Sequence, residues 1–457
     1  MIPQSMEQQI LTTDNSSREL EVHTQEAHLE NLQKIAAKPL CELDLDEHPQ
    51  LLIFPQDFNA YGDNIGKEYI IGLEGNKLVT GNIMGFVGYH NTQVSIRSRF
   101  AQNDGNDYFL HYMLQKVFSV NLIDLKFNSD QESIFDFLIY LFPSFLKRAI
   151  RFGLYKEYQT RDYNDANVRG RIDVNRHIRQ NIPFSGRVAY TTREHVFDNH
   201  VTQLIRHTIE YIASHPYCGS ILNNDEDTKE AISLIKQATS TYNRNERRQV
   251  MNQNIRPVLH PYYCEYRNLR SLCMNILRHE ELKYGLDDDE IYGILFDGAW
   301  LWEEYLNTFL STIGLKHPQN KIGKGGRRIF KDNIGYETVM PDFYNNNMVL
   351  DAKYKGYSNW SCIGREDRFQ ILSYMYLYCV KQGGFIVPVS NNLIPVTRNL
   401  NRYEGQVSLL GMHVAHQCHR YQDYVDYMKE IEDKMINLLL SFEVDESYKL
   451  DFVEKRG

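Results

Sequence analysis

The chain has 457 residues and a net charge of −9, which is enough length for two or three domains with buried cores. It contains no run of about 18 uncharged apolar residues and no signal-peptide layout at its start, so we exclude a membrane-spanning protein and expect a cytoplasmic one. The seven cysteines include no C-x-x-C pair, which excludes a disulfide framework and a zinc ribbon.

The first 48 residues form an acidic segment. They hold ten acidic residues against three basic ones and are rich in Gln, Asn, Ser and Thr. Such composition favours solvated chain over a packed core. We predict that residues 1–48 are a mobile leader with one helix near residues 25–37.

Residues 49–135 are predicted to form a β-rich adaptor domain. Short runs of β-forming residues alternate there with Gly and Asn, and a helix is expected near residues 108–118. The predicted strands are 51–54, 69–73, 77–80 and 92–96. This pattern suggests a small barrel-like arrangement.

Residues 136–284 read as a helical and basic connecting region. Helical periodicity appears at 134–152, 199–215, 226–255 and 264–278. Between positions 147 and 193 there are eleven Lys and Arg against four Asp and Glu. This stretch fits three explanations: contact with a DNA backbone, contact with an acidic surface of a partner protein, or an ordinary solvated face.

A short motif lies further along the chain. Pro341-Asp342 is followed, after eight residues, by Asp351-Ala352-Lys353. Residues 349–354 have the character of a strand, so Asp351 and Lys353 should project to the same face. Residues 338–344 are the expected preceding strand, with the asparagine run at 345–347 as the turn. Such a hairpin would place Asp342 beside Asp351.

These residue types suit metal-dependent cleavage of phosphodiesters. Two neighbouring carboxylates can share one Mg²⁺, or Mn²⁺ in its place, because such ions bind through carboxylates, waters and phosphate oxygens. The Lys353 ammonium could orient the nucleophile or stabilise developing charge. The alternative is an exposed hairpin whose charges are merely solvated.

Two flanking helices extend the motif. In the helix expected at 298–310, Glu303 borders the apolar face, which makes it the candidate for a third acid and metal ligand; the alternative is a plain amphipathic-helix glutamate. In the helix that contains residues 369–378, Gln370 and Tyr374 stand four apart and share a face. The other tyrosines of that helix, Tyr376 and Tyr378, are expected in the core.

The chain resembles two families. The order Glu303, Pro341-Asp342, Asp351-x-Lys353 and Gln370-x-x-x-Tyr374 resembles the PD-(D/E)xK nuclease superfamily, in its Gln-x-x-x-Tyr branch. The chain is also similar to the McrC family of McrBC-type restriction systems from about residue 50 to about residue 395. The segments that carry this likeness are Val94 to Phe100, Tyr108 to Leu114, Tyr155 to Tyr158, Val168 to Asp173, Asp198-Asn199 and Leu301 to Glu303.

The resemblance implies an α/β protein, α+β overall, whose nuclease domain at 285–457 has a mixed sheet flanked by helices. It implies a Mg²⁺-dependent endonuclease that serves in phage defence. The implied catalytic residues are Asp342, Asp351, Lys353, Glu303 and Gln370, with Asp342, Asp351 and Glu303 as metal ligands. The predicted DNA-contacting residues are Lys324, Arg327, Arg328, Lys355 and Tyr374.

The resemblance also implies partners. These are double-stranded DNA, methylated or not, a separately encoded AAA+ GTPase hexamer of the McrB kind that the chain stimulates, and a second nuclease copy. The glycine-rich loop at 323–326 lacks the G-x-x-x-x-G-K-[ST] order of a nucleotide-binding loop, so a motor would have to be a separate polypeptide. Two alternatives stay open: a stand-alone repair nuclease, and a non-catalytic activator of the motor.

Overall fold

The computed structural model describes most of the chain. The described residues are 8–20, 26–36, 39–40, 51–55, 69–102, 107–118, 132–215, 219–223, 225–255, 261–282, 291–318, 326–330, 338–357, 359–391, 395–402 and 404–453. Within these ranges, the side chains of residues 8–9, 26–27, 132–137, 261, 279–282 and 443–453 are not described. The protein is a mixed α/β structure that divides into two compact units, residues 1–134 with 285–457 and residues 135–284.

The first unit opens with two sheets. Their strands are β1 (Gln8–Thr13), β2 (Ser17–Glu19), β3 (Leu51–Phe54), β4 (Ile71–Glu74), β5 (Lys77–Thr80), β6 (Ile83–Tyr89) and β7 (Thr92–Arg97). A three-stranded sheet has the order β2-β5-β4. The other sheet has five strands, and its fourth member comes from much later in the chain.

That late strand is β11 (Ile291–Asp297), which lies between β6 and β3 in the order β1-β7-β6-β11-β3. Glycines on each side let β6 and β11 approach closely. Gly85 has φ of +126°, and a Cβ there would lie 2.1 Å from the backbone oxygen of Ile294. Gly293 has φ of +148°, and a Cβ there would lie 2.3 Å from the backbone oxygen of Phe86. Larger residues are therefore excluded at these two positions, which fixes the register of this pair.

The second large sheet of this unit carries the candidate site. Its strands are β14 (Phe343–Tyr344), β15 (Met348–Ala352), β16 (Gln382–Val389), β17 (Val396–Asn399) and β18 (Gln406–His413). The order is β14-β15-β16-β18-β17, with β15, β16 and β18 parallel and the two edge strands antiparallel to their neighbours. The short strands β12 (Arg327–Arg328) and β13 (Thr338–Val339) pair separately.

Helices cover these sheets. They are α1 (Glu26–Ala36), α2 (Tyr108–Phe118), α9 (Gly298–Leu310), α10 (Arg365–Tyr378) and α11 (Tyr421–Val453). The indole of Trp302 in α9 donates to the carbonyl of Ile386, which seats α9 on β16. The buried carboxylate of Glu432 in α11 accepts from the hydroxyls of Tyr112 in α2 and Tyr305 in α9, at 2.8 and 2.9 Å, so three helices meet at one acid.

The second unit contains a three-stranded sheet and a helical bundle. The strands β8 (Glu157–Asp165), β9 (Arg171–Ile172) and β10 (Val188–Val196) are arranged β8-β10-β9. The helices are α3 (Glu132–Ile150), α4 (Val174–Gln180), α5 (His200–Ser214), α6 (Glu226–Ala238), α7 (Arg247–Gln253) and α8 (Cys264–Leu282). Asn199 caps α5 by accepting from the backbone of Val201 and Thr202, which explains the sharp helix start after the Asp198-Asn199 pair.

Most predicted elements agree with these bounds, but the strand expected at 338–344 is two short strands, β13 and β14, that pair with different partners, and three further expectations differ. The segment predicted as a mobile leader contributes β1, which pairs with β7, and places Leu32 and Ile35 of α1 in the core. The single helix expected at 226–255 is two helices, because Asn243 caps a new turn between them. The predicted adaptor and nuclease segments lie in one unit and share a sheet through β11, whereas 136–284 nearly coincides with the other unit.

Among the described residues, every helix is either too short or too polar to cross a membrane.

Candidate active site

The Asp342-Asp351 pair lies on an antiparallel hairpin. Phe343 pairs with Leu350 and Tyr344 with Val349, so the next residues in register, Asp342 and Asp351, face each other. The turn is closed by Asn345, whose side-chain oxygen accepts from the backbone nitrogens of residues 347 and 348. The asparagine run therefore forms the turn predicted from the sequence.

Both carboxyl groups are buried. Asp342 and Asp351 are only 8% and 2% exposed, and Asp342 Oδ2 accepts from the backbone nitrogen of Ala352 at 2.7 Å. Burial, followed by the nearby charge of Asp342, raises the pKa of Asp351 to about 7. Burial also raises the pKa of Asp342. Two acids kept so close in a poorly solvated place favour a bound cation.

Lys353 supplies one positive charge to this pair. Its Nζ lies 2.8 Å from Asp351 Oδ2 and donates to Gln370 Oε1 at 3.2 Å. Burial acts to lower the pKa of the Lys353 ammonium, but the charge of Asp351 and its hydrogen bond, together with Asp342, outweigh burial and raise the pKa. The ammonium is therefore held in its charged form.

The Gln370-Tyr374 pair supports the lysine from α10. Gln370 Nε2 donates to the hydroxyl oxygen of Tyr374 at 2.7 Å, which leaves the amide oxygen turned toward Lys353. Tyr374 is buried, at 6% exposure, so its ring serves packing and orients Gln370. Of the neighbouring tyrosines expected in the core, Tyr378 is buried but Tyr376 is 75% exposed.

Asp367 is a site residue that the sequence reading missed. Its Oδ1 lies 3.6 Å from Lys353 Nζ, and its Oδ2 accepts from the Tyr357 hydroxyl at 2.9 Å. Burial acts to raise the pKa of Asp367, but the Tyr357 hydrogen bond and the charges of Lys353 and Lys355 outweigh it and lower the pKa. Its position three residues before Gln370, on the same helix face, was a usable signal.

His317 is a second missed residue. Its Nδ1 donates to the backbone carbonyl of Asp342 at 2.7 Å, and its Nε2 lies 3.8 Å from Glu304 Oε1. The ring stacks on Phe343 with centroids 4.9 Å apart. No local sequence signal connects a histidine with a residue 25 positions away.

Glu303 is half-buried in α9. In the part of the chain that the structure describes, no three His, Cys, Asp or Glu side chains form a group able to hold a metal ion. The structure thus brings together Asp342, Asp351, Lys353 and Gln370 but does not join Glu303 to the two aspartates as a third ligand. Its catalytic role stays a prediction.

The predicted DNA-contacting residues have varied surroundings. Arg327 and Arg328 are exposed on β12, although Arg327 also donates to the carbonyl of Leu377 and lies over the Tyr378 ring. Lys355 is half-exposed, with Nζ 3.6 Å from Asp367 Oδ2. Lys324 lies outside the described residues. Arg328 and Lys355 thus present positive charge to solvent beside the Asp342-Asp351 hairpin.

Comparisons with known proteins place the chain in a family. The family model described as "McrBC 5-methylcytosine restriction system component" matches residues 78–388, which include strands β6 and β7 and the Asp342-Asp351 hairpin. Curated proteins give no match. This result confirms the resemblance to McrBC-type systems noted in the sequence.

Two solved assemblies from Thermococcus gammatolerans are similar. The first is a half-complex from a tetradecameric assembly of McrB AAA+ hexamers with bound McrC. The match covers 93% of this chain and 100% of that chain, with 14% sequence identity and a TM-score of 0.49. A cryo-EM structure of the McrBC complex has 15% identity and a TM-score of 0.35, over 66% of this chain and 87% of that chain. On the strength of the family match, the chain belongs to the McrBC family of 5-methylcytosine restriction system components.

Proposed function

We propose that the chain is the DNA-cleaving subunit of a McrBC-type restriction system and hydrolyses phosphodiester bonds with the help of Mg²⁺. The observation that carries the proposal is the convergence of two buried acids, Asp342 and Asp351, with the half-buried Lys353 and Gln370 from three separate elements. Chance surface charges would not be buried together in this way, because burial of charge is costly unless the charges are paired.

The donor set fits a magnesium ion. Asp342 and Asp351 offer hard carboxylate oxygens, and Mg²⁺ in proteins is commonly held by one or two carboxylates, with the rest of its shell left to waters and substrate phosphates. Burial raises the pKa of both acids, so a bound cation would offset the cost of charging them there. When bound, Mg²⁺ would supply Lewis-acid stabilisation and activation of water.

The protein's own residues have separable tasks in this proposal. Asp342 and Asp351 would hold the ion, and the backbone nitrogen of Ala352 keeps the Asp342 carboxylate turned toward its partner. Lys353, charged and directed by Gln370, would contact a phosphate oxygen or the attacking water and stabilise the developing negative charge. The buried Tyr374 would fix the Gln370 amide, so that the lysine does not swing away.

We extend the proposal to the partner. The family is that of a multi-component restriction system, and the resemblance to McrC predicts a separate AAA+ GTPase of the McrB kind. The sequence lacks a nucleotide-binding loop of its own, which agrees with an external motor. The 5-methylcytosine in the family description makes methylated duplex DNA the first substrate to test.

The test is cleavage of supercoiled plasmid, methylated and unmethylated, by wild type and by Lys353→Ala. Each protein is assayed in Mg²⁺ alone and with a McrB-type AAA+ protein from the same source, with GTP or ATP, while hydrolysis of the nucleotide is measured in parallel. We expect cleavage by wild type with motor and nucleotide only, and stimulation of the motor by both proteins.

The other outcomes are informative. Cleavage by wild type without the motor would favour the stand-alone repair nuclease. Stimulation of the motor without any cleavage by wild type would favour the non-catalytic activator. Equal cleavage by Lys353→Ala, shown to be folded by circular dichroism, would remove the hairpin from the mechanism.

A further inference from the structure

Lys316 and His317, which follow α9 in the chain, contact the catalytic hairpin at its outer edge. Strand β14 has only two residues and lies at the edge of its sheet, so on its outer side it has no neighbouring strand of the sheet. There Lys316 forms a single antiparallel bridge with Tyr344: the Lys316 nitrogen donates to the Tyr344 carbonyl at 2.8 Å and the Tyr344 nitrogen to the Lys316 carbonyl at 3.0 Å.

The next residue continues this contact with its side chain. His317 Nδ1 lies 2.7 Å from the carbonyl oxygen of Asp342, and because a carbonyl oxygen only accepts, Nδ1 carries the hydrogen. The imidazole is fixed on its other sides by the Phe343 ring beneath it and by Glu304, whose Oε1 lies 3.8 Å from Nε2. The ring therefore has little freedom to turn away from Asp342.

Asp342 needs such a restraint. It precedes the two-residue strand, and its side chain must face Asp351 while accepting the Ala352 nitrogen. A rotation of its peptide would turn the carboxylate out of the pair. The His317 hydrogen bond opposes that rotation, since it holds the carbonyl of the same residue.

We propose that His317 is a positioning residue that fixes the backbone of Asp342 and so sets the geometry of the carboxylate pair. This inference rests on the proposed function, in which that pair holds a divalent cation. The histidine itself would contact neither the cation nor DNA. Its effect would pass through the Asp342 carbonyl.

The test uses two variants of nearly equal shape. In His317→Asn the side-chain amide nitrogen stands about where Nδ1 stood and can donate to the same carbonyl, whereas His317→Leu has the same branched form and no donor. Lys316→Ala is the matched control, because it changes an exposed side chain and keeps the backbone bridge to Tyr344. Asp351→Asn reports on the cation site itself.

The first readout needs neither metal nor activity. Hydrogen–deuterium exchange of the Ala352 amide, which donates to Asp342, should be at least about tenfold faster in His317→Leu and close to wild type in His317→Asn and Lys316→Ala. The second readout is calorimetric titration with Ca²⁺. We expect the affinity to fall about three- to tenfold in His317→Leu and to be retained within about twofold in His317→Asn.

The third readout is single-turnover cleavage at saturating Mg²⁺, which should slow about tenfold in His317→Leu while DNA affinity stays within about twofold. Exchange and Ca²⁺ affinity like wild type in His317→Leu would overturn the inference, and so would an Asn variant as defective as the Leu variant. If the Leu variant does not fold, His317→Asn decides the inference. Exchange and Ca²⁺ affinity like wild type in His317→Asn would support it, and a loss of either would contradict it. Unchanged Ca²⁺ binding in Asp351→Asn would instead contradict the proposed cation site.

Discussion

The ammonium of Lys353 lies 2.8 Å from the carboxylate of Asp351, so the buried acid pair carries a cation of its own. A divalent ion entering the site would meet this positive charge. Under the proposed function, the lysine would therefore oppose binding of the metal in the ground state while promoting the reaction. Removal of the lysine should separate these two effects.

We predict that Lys353→Met lowers the cleavage rate by at least about 100-fold. The variant should bind Ca²⁺ as tightly as wild type or about three- to tenfold more tightly, because the competing positive charge is gone. Calorimetric titration with Ca²⁺ and single-turnover cleavage in Mg²⁺ provide the two measurements. Lys381→Met, which removes a half-exposed lysine paired with Glu404 elsewhere on the sheet, is the control. Weaker Ca²⁺ binding in Lys353→Met would show that the lysine helps to hold the ion.

The Gln370-Tyr374 hydrogen bond should matter only through the lysine. We expect Gln370→Ala to slow cleavage about 10- to 100-fold and Tyr374→Phe about three- to tenfold, since the phenyl ring keeps the packing and loses only the oxygen that orients the amide. The double variant should be no slower than Gln370→Ala, because both changes act on one chain of contacts. Fully additive losses, measured by single-turnover kinetics, would contradict this linkage.

Neutralisation of Asp367 should strengthen DNA binding. Its carboxylate lies 3.6 Å from the ammonium groups of both Lys353 and Lys355, so Asp367→Asn would release positive charge toward the phosphate backbone. We expect DNA affinity, measured by fluorescence anisotropy at low salt, to rise about two- to fivefold. Glu366→Gln, an exposed acid one position earlier, should raise it less, and an equal rise in the two variants would point to net charge alone.

The Asp14-Arg99 ion pair should stabilise the first unit. Asp14 is fully buried and accepts from the backbone nitrogen, Nε and Nη2 of Arg99, with the guanidinium lying over the Tyr354 ring. Asp14→Ala leaves that cation without its partner and should lower the free energy of unfolding by about 3 kcal/mol. Denaturant titration beside Glu74→Ala, an exposed acid at the end of β4, checks this, and equal midpoints would refute it.

Acid should destabilise the second unit through His207. Burial, followed by the charge of Arg247, lowers the pKa of His207 to about 4. In the unfolded chain His207 has its ordinary pKa near 6.5, so below that pH the unfolded chain binds a proton that the folded chain does not bind. The stability contributed by the neutral histidine is therefore present at neutral pH and is lost as pH falls. At pH 5 this loss is about 2 kcal/mol. His207→Gln should flatten the dependence of the denaturation midpoint on pH, with replacement of the exposed His195 by Gln as the comparison.

Local sequence signals explain why much of the site could be predicted. The alternation of Asp351 and Lys353 on a strand, the asparagine turn and the four-residue spacing of Gln370 and Tyr374 are all set within one element or one hairpin. His317 and the pairing of β11 with β6 could not be inferred, because they join segments far apart in the chain. The role of Glu303 as a third ligand was inferred from helical phase alone and stays a prediction.

Strand β11 runs without a break into α9, where Asp297 caps the helix by accepting from the Ala299 nitrogen at 2.9 Å. The seven residues of β11 thus complete one sheet and lead directly into the helix that lies on the other. A recombination event that exchanged only residues 285–457 would replace an inner strand of the sheet that contains β6 and β3. Chimeras spliced near residue 285 should therefore be insoluble. The segments before and after this point would have to be inherited together as one evolutionary unit.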